Sequence, residues 1–523
     1  MRKPVVIVLK KNTRVLETWK SHLISSRFLT GRPIFIIDDE SDAASLNTKV
    51  NKESEISTIN KKISEIRALA NSSFYLQVTA TPQSLFLQEE ESGYKPEFVY
   101  YFKPGSEYLG GNFFYSTREP YGERQIPYPI RITNEEELVD LREKEAHIPE
   151  GMQKAIASFL VAASHIHLSK SRKSCNFLIH PSVSISDHET IAERIGEALN
   201  NLLHGVRDDD DFKNDLQEAW LDLQKTKPDI SDFKKCYEFI SDLLENGDIT
   251  ISTMNSKANF DINFEEGTNI VVGGNSLGRG VTFPNLQTTY YCRKSKRPQA
   301  DTFWQHCRSF GYDRDSGLVR IFLPASLFKL FAELNHSNNA MIDYVNQNGL
   351  KGLRLIYPKN IKPTRPNVVN KKKLEIIAGG VNHFPSFPIA KNTTAIDSIL
   401  NNYNNEDDYK IINIEFIKEI IENCEAEFNN DWPHKTYIKC IESLQEKDSS
   451  KAILIVRRNR NIGRNTGTLL SPNDRKLGDQ FDKQIVLTMY RIDGNIDKGW
   501  DGAALWIPNI KFPKDKFFYN IEE

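Results

Sequence analysis

Ile34-Phe35-Ile36-Ile37-Asp38-Asp39-Glu40-Ser41-Asp42 and, further along, Phe74-Tyr75-Leu76-Gln77-Val78-Thr79-Ala80-Thr81-Pro82 are the two stretches that decide the fold. Each is a short apolar run that stops at polar residues, the pattern of a buried strand meeting a turn. Between them Ile56, Ile59, Ile63, Ile66 and Leu69 recur at helical spacing, so the segment predicts strand, helix, strand and hence a parallel pair. Upstream, Val5 to Leu9 predicts another strand and Thr13 to Leu23 another helix. Lys10-Lys11-Asn12 ends the first apolar run too early for a secretory signal. Ligands of open α/β sheets gather at the carboxyl ends of the strands, where Asp39 and Glu40 would lie. In that position Asp39 suits the outer shell of Mg²⁺, and Glu40 suits orienting or deprotonating an attacking water. The plainer alternative is an acidic helix start, favoured by the macrodipole without any catalysis.

The chain has 523 residues, 39% hydrophobic and 26% charged, which predicts three domains or two with a large appendage. No apolar stretch approaches the roughly 20 residues of a membrane span. The six cysteines form no C-x-x-C pair, which argues against a zinc site or a disulfide framework and suits a reducing cytoplasm. The formal charge of −2 gives no bulk attraction to nucleic acid. Local basic patches could still bind it: Arg293, Lys294, Lys296 and Arg297 in one run, Lys362 to Lys373 in another. Solvated surface charge explains either equally well.

Residues 1–145 read as a first α/β lobe whose part from 85 to 135, rich in Gly, Pro and aromatics, is irregular. Residues 146–355 read as a second lobe. Met152 to Leu168 is strongly helical there, Phe177 to Pro181 is a short strand with a turn, and 185–245 is a helical insertion broken at Asp208-Asp209-Asp210-Asp211. Strands are expected at 249–251, 269–273 and 319–323, with a helix between the last two. A proline- and lysine-rich linker at 357–373 precedes a smaller mixed α/β domain at 374–523.

The second lobe holds a further constellation. Gly273-Gly274-Asn275-Ser276-Leu277-Gly278-Arg279-Gly280-Val281-Thr282 follows a strand, and its glycines allow a backbone to approach phosphate beside the cation of Arg279. Gln305-His306-Cys307-Arg308-Ser309-Phe310-Gly311-Tyr312-Asp313-Arg314 lies on or after a helix starting near Ala300, which would put Gln305 and Arg308 on one face. An arginine so placed could reach a phosphate held by the other lobe.

The succession D-E-x-D, T-A-T-P, G-x-G-V-T and Q-x-x-R-x-x-G-Y resembles motifs II, III, V and VI of superfamily 2 helicases. More narrowly it resembles the Z1-domain proteins, helicase-like proteins of bacteria and their mobile elements that carry an endonuclease label and are linked to restriction or phage defence. Ile36 to Ala43, Gln77 to Pro82, Tyr108 to Gly111, Leu178 to His180, Gly274 to Gly280 and Arg308 to Tyr312 carry that likeness, with Gly467 to Pro472 and Gly499 to Pro508 in the tail. The resemblance implies two RecA-like parallel-sheet lobes, the first incomplete, and a smaller C-terminal domain. It implies ATP and Mg²⁺ as cofactors and DNA and companion restriction or defence proteins as partners. It makes Asp39, Glu40 and either Arg308 or Arg314 catalytic. Asp42, Thr79, Thr81, Gly278, Arg279, Gly280, Thr282 and Gln305 would bind nucleotide or couple it to DNA, with Asp42 pairing across to the second lobe. Val5 to Asn12 looks like motif Ia, so a strand and G-x-x-x-x-G-K-[ST] loop would be expected before it. That loop occurs nowhere in the sequence, and the expectation is of an incomplete first lobe.

Two rival readings remain. Degenerate lobes could serve as a non-catalytic DNA- or protein-binding module through Arg293 to Arg297 and Arg457-Arg458-Asn459-Arg460. Alternatively Asp474, Asp479, Asp482 and Lys483 could form a metal-dependent nuclease cluster, although a turn, a cap and a solvated face account for the same residues.

Overall fold

The computed structural model describes residues 4–52, 55–116, 126–143, 147–182, 184–208, 210–254, 263–274, 282–295, 298–306, 308–359, 361–403, 408–429, 431–444, 451–463, 471–514 and 516–521. The chain divides into two compact units, one of residues 1–101 with 337–523 and the other of residues 102–336.

In the first unit, strands β1 (Pro33–Asp39) and β2 (Ser72–Val78) pair in parallel, with Ile36 opposite Tyr75 and Asp39 opposite Val78. Helices Thr13–Ser25 and Thr58–Ala68 cover one face through Leu16, Ile63 and Ile66, against which Ile34, Ile36 and Tyr75 pack. Asn12 caps the first helix by accepting from the Val15 amide at 2.9 Å. On the other face Phe35, Ile37, Phe74, Leu76 and Val78 are exposed. The strand expected at Val5 to Leu9 is absent; the segment pairs with no strand among the described residues, and Val5, Val6 and Val8 are exposed.

The second unit is built on six parallel strands: β3 (Ile130–Thr133), β4 (Ser174–His180), β5 (Ile249–Met254), β6 (Gly267–Gly273), β7 (Leu286–Tyr291) and β8 (Arg320–Pro324). Their order is β3-β8-β7-β4-β6-β5. The helix Glu150–Leu168 is buried throughout from Ala155 to Ile166, and Phe159 packs on Phe177 of the sheet. Around it lie the helices Ile185–Asp208, Asp210–Gln224 and Phe233–Glu245. The break expected at Asp208 to Asp211 falls between the first two. Residues 102–143, read from sequence as the end of the first lobe, belong to this unit, because β3 pairs with β8. Strands β3 and β7 escaped the sequence reading. Every residue of β7 is buried, but Gln287, Thr288 and Thr289 break the apolar run that would mark a buried strand.

The first unit resumes with β9 (Leu355–Pro358), β10 (Leu374–Ala378), β11 (Asn382–His383), β12 (Lys410–Asn413), β13 (Lys451–Arg457), β14 (Val486–Ile492), β15 (Leu505–Lys511) and β16 (Lys516–Ile521). These make a three-stranded antiparallel sheet, β10-β16-β9, and a five-stranded mixed sheet, β11-β15-β14-β13-β12. Ile417, Ile420, Trp432, Leu454, Leu487 and Phe512 form its core. The architecture is therefore α/β, with a parallel six-stranded sheet and a separate mixed-sheet region, as the sequence indicated.

The segment at 357–373 is not a free linker. Ile361, Thr364, Val368 and Val369 are buried, and the segment is fastened along the first unit. Asn51 Nδ2 donates to the carbonyls of Pro366 and Val369, both at 3.0 Å, and Gln88 Nε2 donates to that of Val368 at 2.9 Å. Lys373 pairs with Glu89 at 3.2 Å. No helix among the described residues is long and apolar enough to cross a membrane.

Candidate functional site

Three neighbouring carboxylates at the end of β1 have three different environments. Asp38 faces the core, 5% exposed, where it accepts from Lys11 Nζ at 2.7 Å, from Ser45 Oγ and from the Tyr75 hydroxyl. Burial, then the Asp38 charge, pushes the Tyr75 phenol well above its usual range, so it remains a donor to Asp38. Asp39, on the opposite face of the strand, is exposed and accepts from the Glu40 amide at 3.0 Å. Glu40 is exposed and sits at φ +51°, a left-handed conformation that costs an L-residue roughly 1–2 kcal/mol. Such strain persists only where the surroundings over-determine it. Here two cations hold the loop: Lys11 Nζ donates to the Asp39 and Glu40 carbonyls at 2.7 and 2.9 Å, and Arg365 Nη2 to those of Asp42 and Ala43 at 2.8 and 3.1 Å.

Asp42 is fully buried and accepts from Thr79 Oγ1 at 2.7 Å and Thr81 Oγ1 at 3.0 Å. Asp42 thereby joins the acidic loop to the T-A-T-P turn within its own unit. Ser41 extends that junction, its amide donating to the Val78 carbonyl at 3.2 Å. Asp39, Glu40, Asp42, Thr79 and Thr81 thus come together at the carboxyl ends of two parallel strands. Asp38, Lys11 and Arg365 were missed. Strand alternation puts Asp38 on the face of Ile34 and Ile36, but with Phe35 and Ile37 equally apolar it does not say which face is buried, and nothing in the sequence linked Arg365 to the loop.

In the second unit, Gly278, Arg279, Gly280, Lys296 and Arg297 lie outside the described residues. Thr282 is exposed. Gly274 is a glycine for packing: a Cβ there would lie 2.6 Å from His188 and 2.7 Å from the Ser182 carbonyl. The helix Ala300–His306 carries Gln305 but stops before Arg308, which is half-buried in the following turn. The two residues therefore do not share one helical face. Arg314, the other arginine considered, holds this turn together, donating to the carbonyls of Ser309 at 3.2 Å and Arg308 at 2.9 Å and pairing with Asp313. Its side chain is only 6% exposed, and burial lowers its pKa.

Two stretches that carried the family likeness meet here. Leu109 and Gly311 exchange backbone hydrogen bonds at 3.0 and 3.1 Å, the Gly105 amide donates to the Tyr312 hydroxyl at 2.9 Å, and Phe114 stacks on Phe310. A Cβ on Gly111 would lie 2.2 Å from Asn335 Oδ1, which is why this position takes no side chain.

The basic patches are less available than their composition suggests. Lys294 pairs with Glu135 at 2.7 Å, and Arg293 is half-buried, its pKa lowered by burial. Arg457 pairs with Asp474 at 2.9 Å, Arg458 donates to the Leu400 and Tyr403 carbonyls and covers the Trp506 ring, and Arg460 covers that of Tyr490. The nuclease cluster does not converge either. Asp474 is 5% exposed and bound by Arg457 and by Tyr490, while Asp479 pairs with Lys511 at 2.6 Å. Ser471 caps the intervening helix, as a turn-and-cap reading requires.

The Z1 domain matches residues 151–363, and the C-terminal domain of the restriction endonuclease CglI H-subunit matches residues 377–514. The chain is similar to restriction-system proteins. Among solved structures, the C-terminal domain of the CglI restriction endonuclease H subunit aligns at 28% identity over 26% of this chain and 99% of that one, with a TM-score of 0.23. The ATP-dependent Type ISP restriction-modification enzyme LlaBIII, bound to DNA, aligns at 12% identity over 67% of this chain and 22% of that one, with a TM-score of 0.29. No curated protein matches.

Proposed function

We propose that the chain is the nucleotide-handling part of a DNA restriction system and works with companion proteins. The observation that carries this reading is the pair of successive domain matches, of which the second is to a restriction-endonuclease subunit. The acidic loop supports the nucleotide part of the reading. Mg²⁺ is held by one or two carboxylates and otherwise by water and phosphate oxygens, and the exposed Asp39 at a parallel strand end fits that demand. When bound, the cation would offset phosphate charge. Asp39 would orient its water shell, Glu40 would orient or accept a proton from the attacking water, and Asp42 would tie both to Thr79 and Thr81.

Further polypeptide, from this or another chain, would supply the phosphate grip. Parallel sheets ordinarily bury both faces, and the exposed row of Phe35, Ile37, Phe74 and Leu76 is consistent with such an addition. The 523 residues alone are expected to release no phosphate above background with Mg²⁺ and duplex DNA. The test of the whole reading is phage plating on a host that carries the gene with its neighbours: plating is expected to be restricted, and Glu40→Gln to abolish the restriction. Equal plating with and without the gene, or full restriction by the Glu40→Gln protein, would overturn it.

A further inference from the structure

The acidic loop is held by a segment remote in sequence. Residues 361–373 leave β9 and enter β10, and both strands pair with β16, so the two ends of this strap are fixed in one sheet. Between those ends the strap runs against residues that follow the first two strands. Arg365 takes the Asp42 and Ala43 carbonyls, Asn51 takes those of Pro366 and Val369 and receives the Lys371 amide at 3.0 Å, and Asn370 donates to Glu89 at 2.6 Å. The loop so held is the one in which Glu40 has a left-handed backbone, and a strained turn keeps its shape only while its fastenings hold.

We propose that Arg365 is a positioning residue: by holding the Asp42 and Ala43 carbonyls it sets the acidic loop in its cation-binding shape and couples that loop to the sheet β10-β16-β9. The inference rests on the reading of Asp39 as the carboxylate that holds a divalent cation through its water shell. Coupling of this kind is reciprocal, so cation binding at the loop also tightens the strap.

Mn²⁺ is the probe, titrated into the full chain and followed by its free-ion electron paramagnetic resonance signal. Arg365→Ala is expected to weaken Mn²⁺ binding at least threefold and to raise amide exchange across residues 39–45. Arg365→Lys, which can donate to both carbonyls from one nitrogen, is expected to restore most of the affinity. Mn²⁺ is expected to slow exchange in residues 361–373 of the wild type. Asp39→Asn separates the two ideas. If it abolishes binding while Arg365→Ala leaves affinity unchanged, the cation site stands and the strap proposal falls. If Asp39→Asn binds Mn²⁺ as well as the wild type, the cation reading itself falls, and the proposal with it. Should Arg365→Ala fail to fold, Asn51→Ala loosens the strap away from Arg365 and is expected to weaken Mn²⁺ in the same direction; unchanged affinity there overturns the proposal.

Discussion

Replacing Asp38 with alanine tests the division of labour among the three carboxylates. Asp38 accepts two neutral hydroxyls, Ser45 and Tyr75, and a hydrogen bond to a charged group contributes about 1.5–3 kcal/mol. Lys11, with 22% of its side chain exposed, keeps water and two backbone carbonyls as partners, so losing that pair adds no more than about 1 kcal/mol. The substitution should therefore cost about 3–7 kcal/mol locally, a large share of the ~5–15 kcal/mol that holds a typical domain. A chain of two units does not melt in one step, so hydrogen exchange in peptides covering Pro33–Asp39 and Ser72–Val78 is the suitable assay. At 1.36 kcal/mol per decade, exchange there should accelerate by about two to five decades. Glu40→Gln, at an exposed site, should change it by less than about threefold, corresponding to roughly 0.5 kcal/mol. An acceleration below tenfold in Asp38→Ala, or an equal effect of Glu40→Gln, would refute the assignment of Asp38 to structure and Glu40 to function.

Glu40→Gly should leave the loop about 1 kcal/mol more stable than Glu40→Gln, because glycine adopts φ +51° without penalty; equal exchange of the loop amides in the two variants would contradict the strain argument. In the C-terminal region, Asp474→Ala breaks a pair whose side chains are 18% and 6% exposed and should cost about 3–5 kcal/mol, read as faster exchange in β13 and β14. Asp482→Ala should change stability by less than about 0.5 kcal/mol, and loss of metal-dependent nicking in a folded Asp482→Ala protein would revive the nuclease reading. Burial lowers the pKa of His165, whose Nδ1 accepts the Ser231 amide at 3.0 Å and so must stay unprotonated to keep that bond. The unfolded state then binds more protons than the folded one below about pH 6.5, so this contribution is complete above that value and declines as pH falls through it. Melting of the second unit is expected at a lower temperature at pH 5.5 than at 7.5, with the dependence flattened in His165→Asn; an unchanged slope in that variant would exclude His165 as the source.

Local signals account for what was legible. The apolar runs at 34–37 and 74–78, the helix between them and the long apolar helix of the second unit were readable because burial imposes a period on neighbouring residues. The acidic loop and the T-A-T-P turn were also readable, since both follow directly from strand ends. Which of Asp38 and Asp39 faces the core was not, because all four preceding residues are apolar and either strand face could have been the buried one. Gln287, Thr288 and Thr289 hid β7 for the opposite reason: a strand buried by tertiary packing need not be apolar when its hydroxyls and amides are enclosed with it. The lysines and prolines of 357–373 suggested a linker because composition records a segment's own preferences. Its hold on Asp42 spans more than 300 residues of sequence, a contact made by a strap whose flanking strands both pair with β16. The sequence by itself thus determined the α/β class and which residues stand at the ends of the first two strands. The tertiary structure alone decided which carboxylate is structural, where Asp42 is spent and what holds the loop, because each depends on groups brought together by folding rather than by spacing.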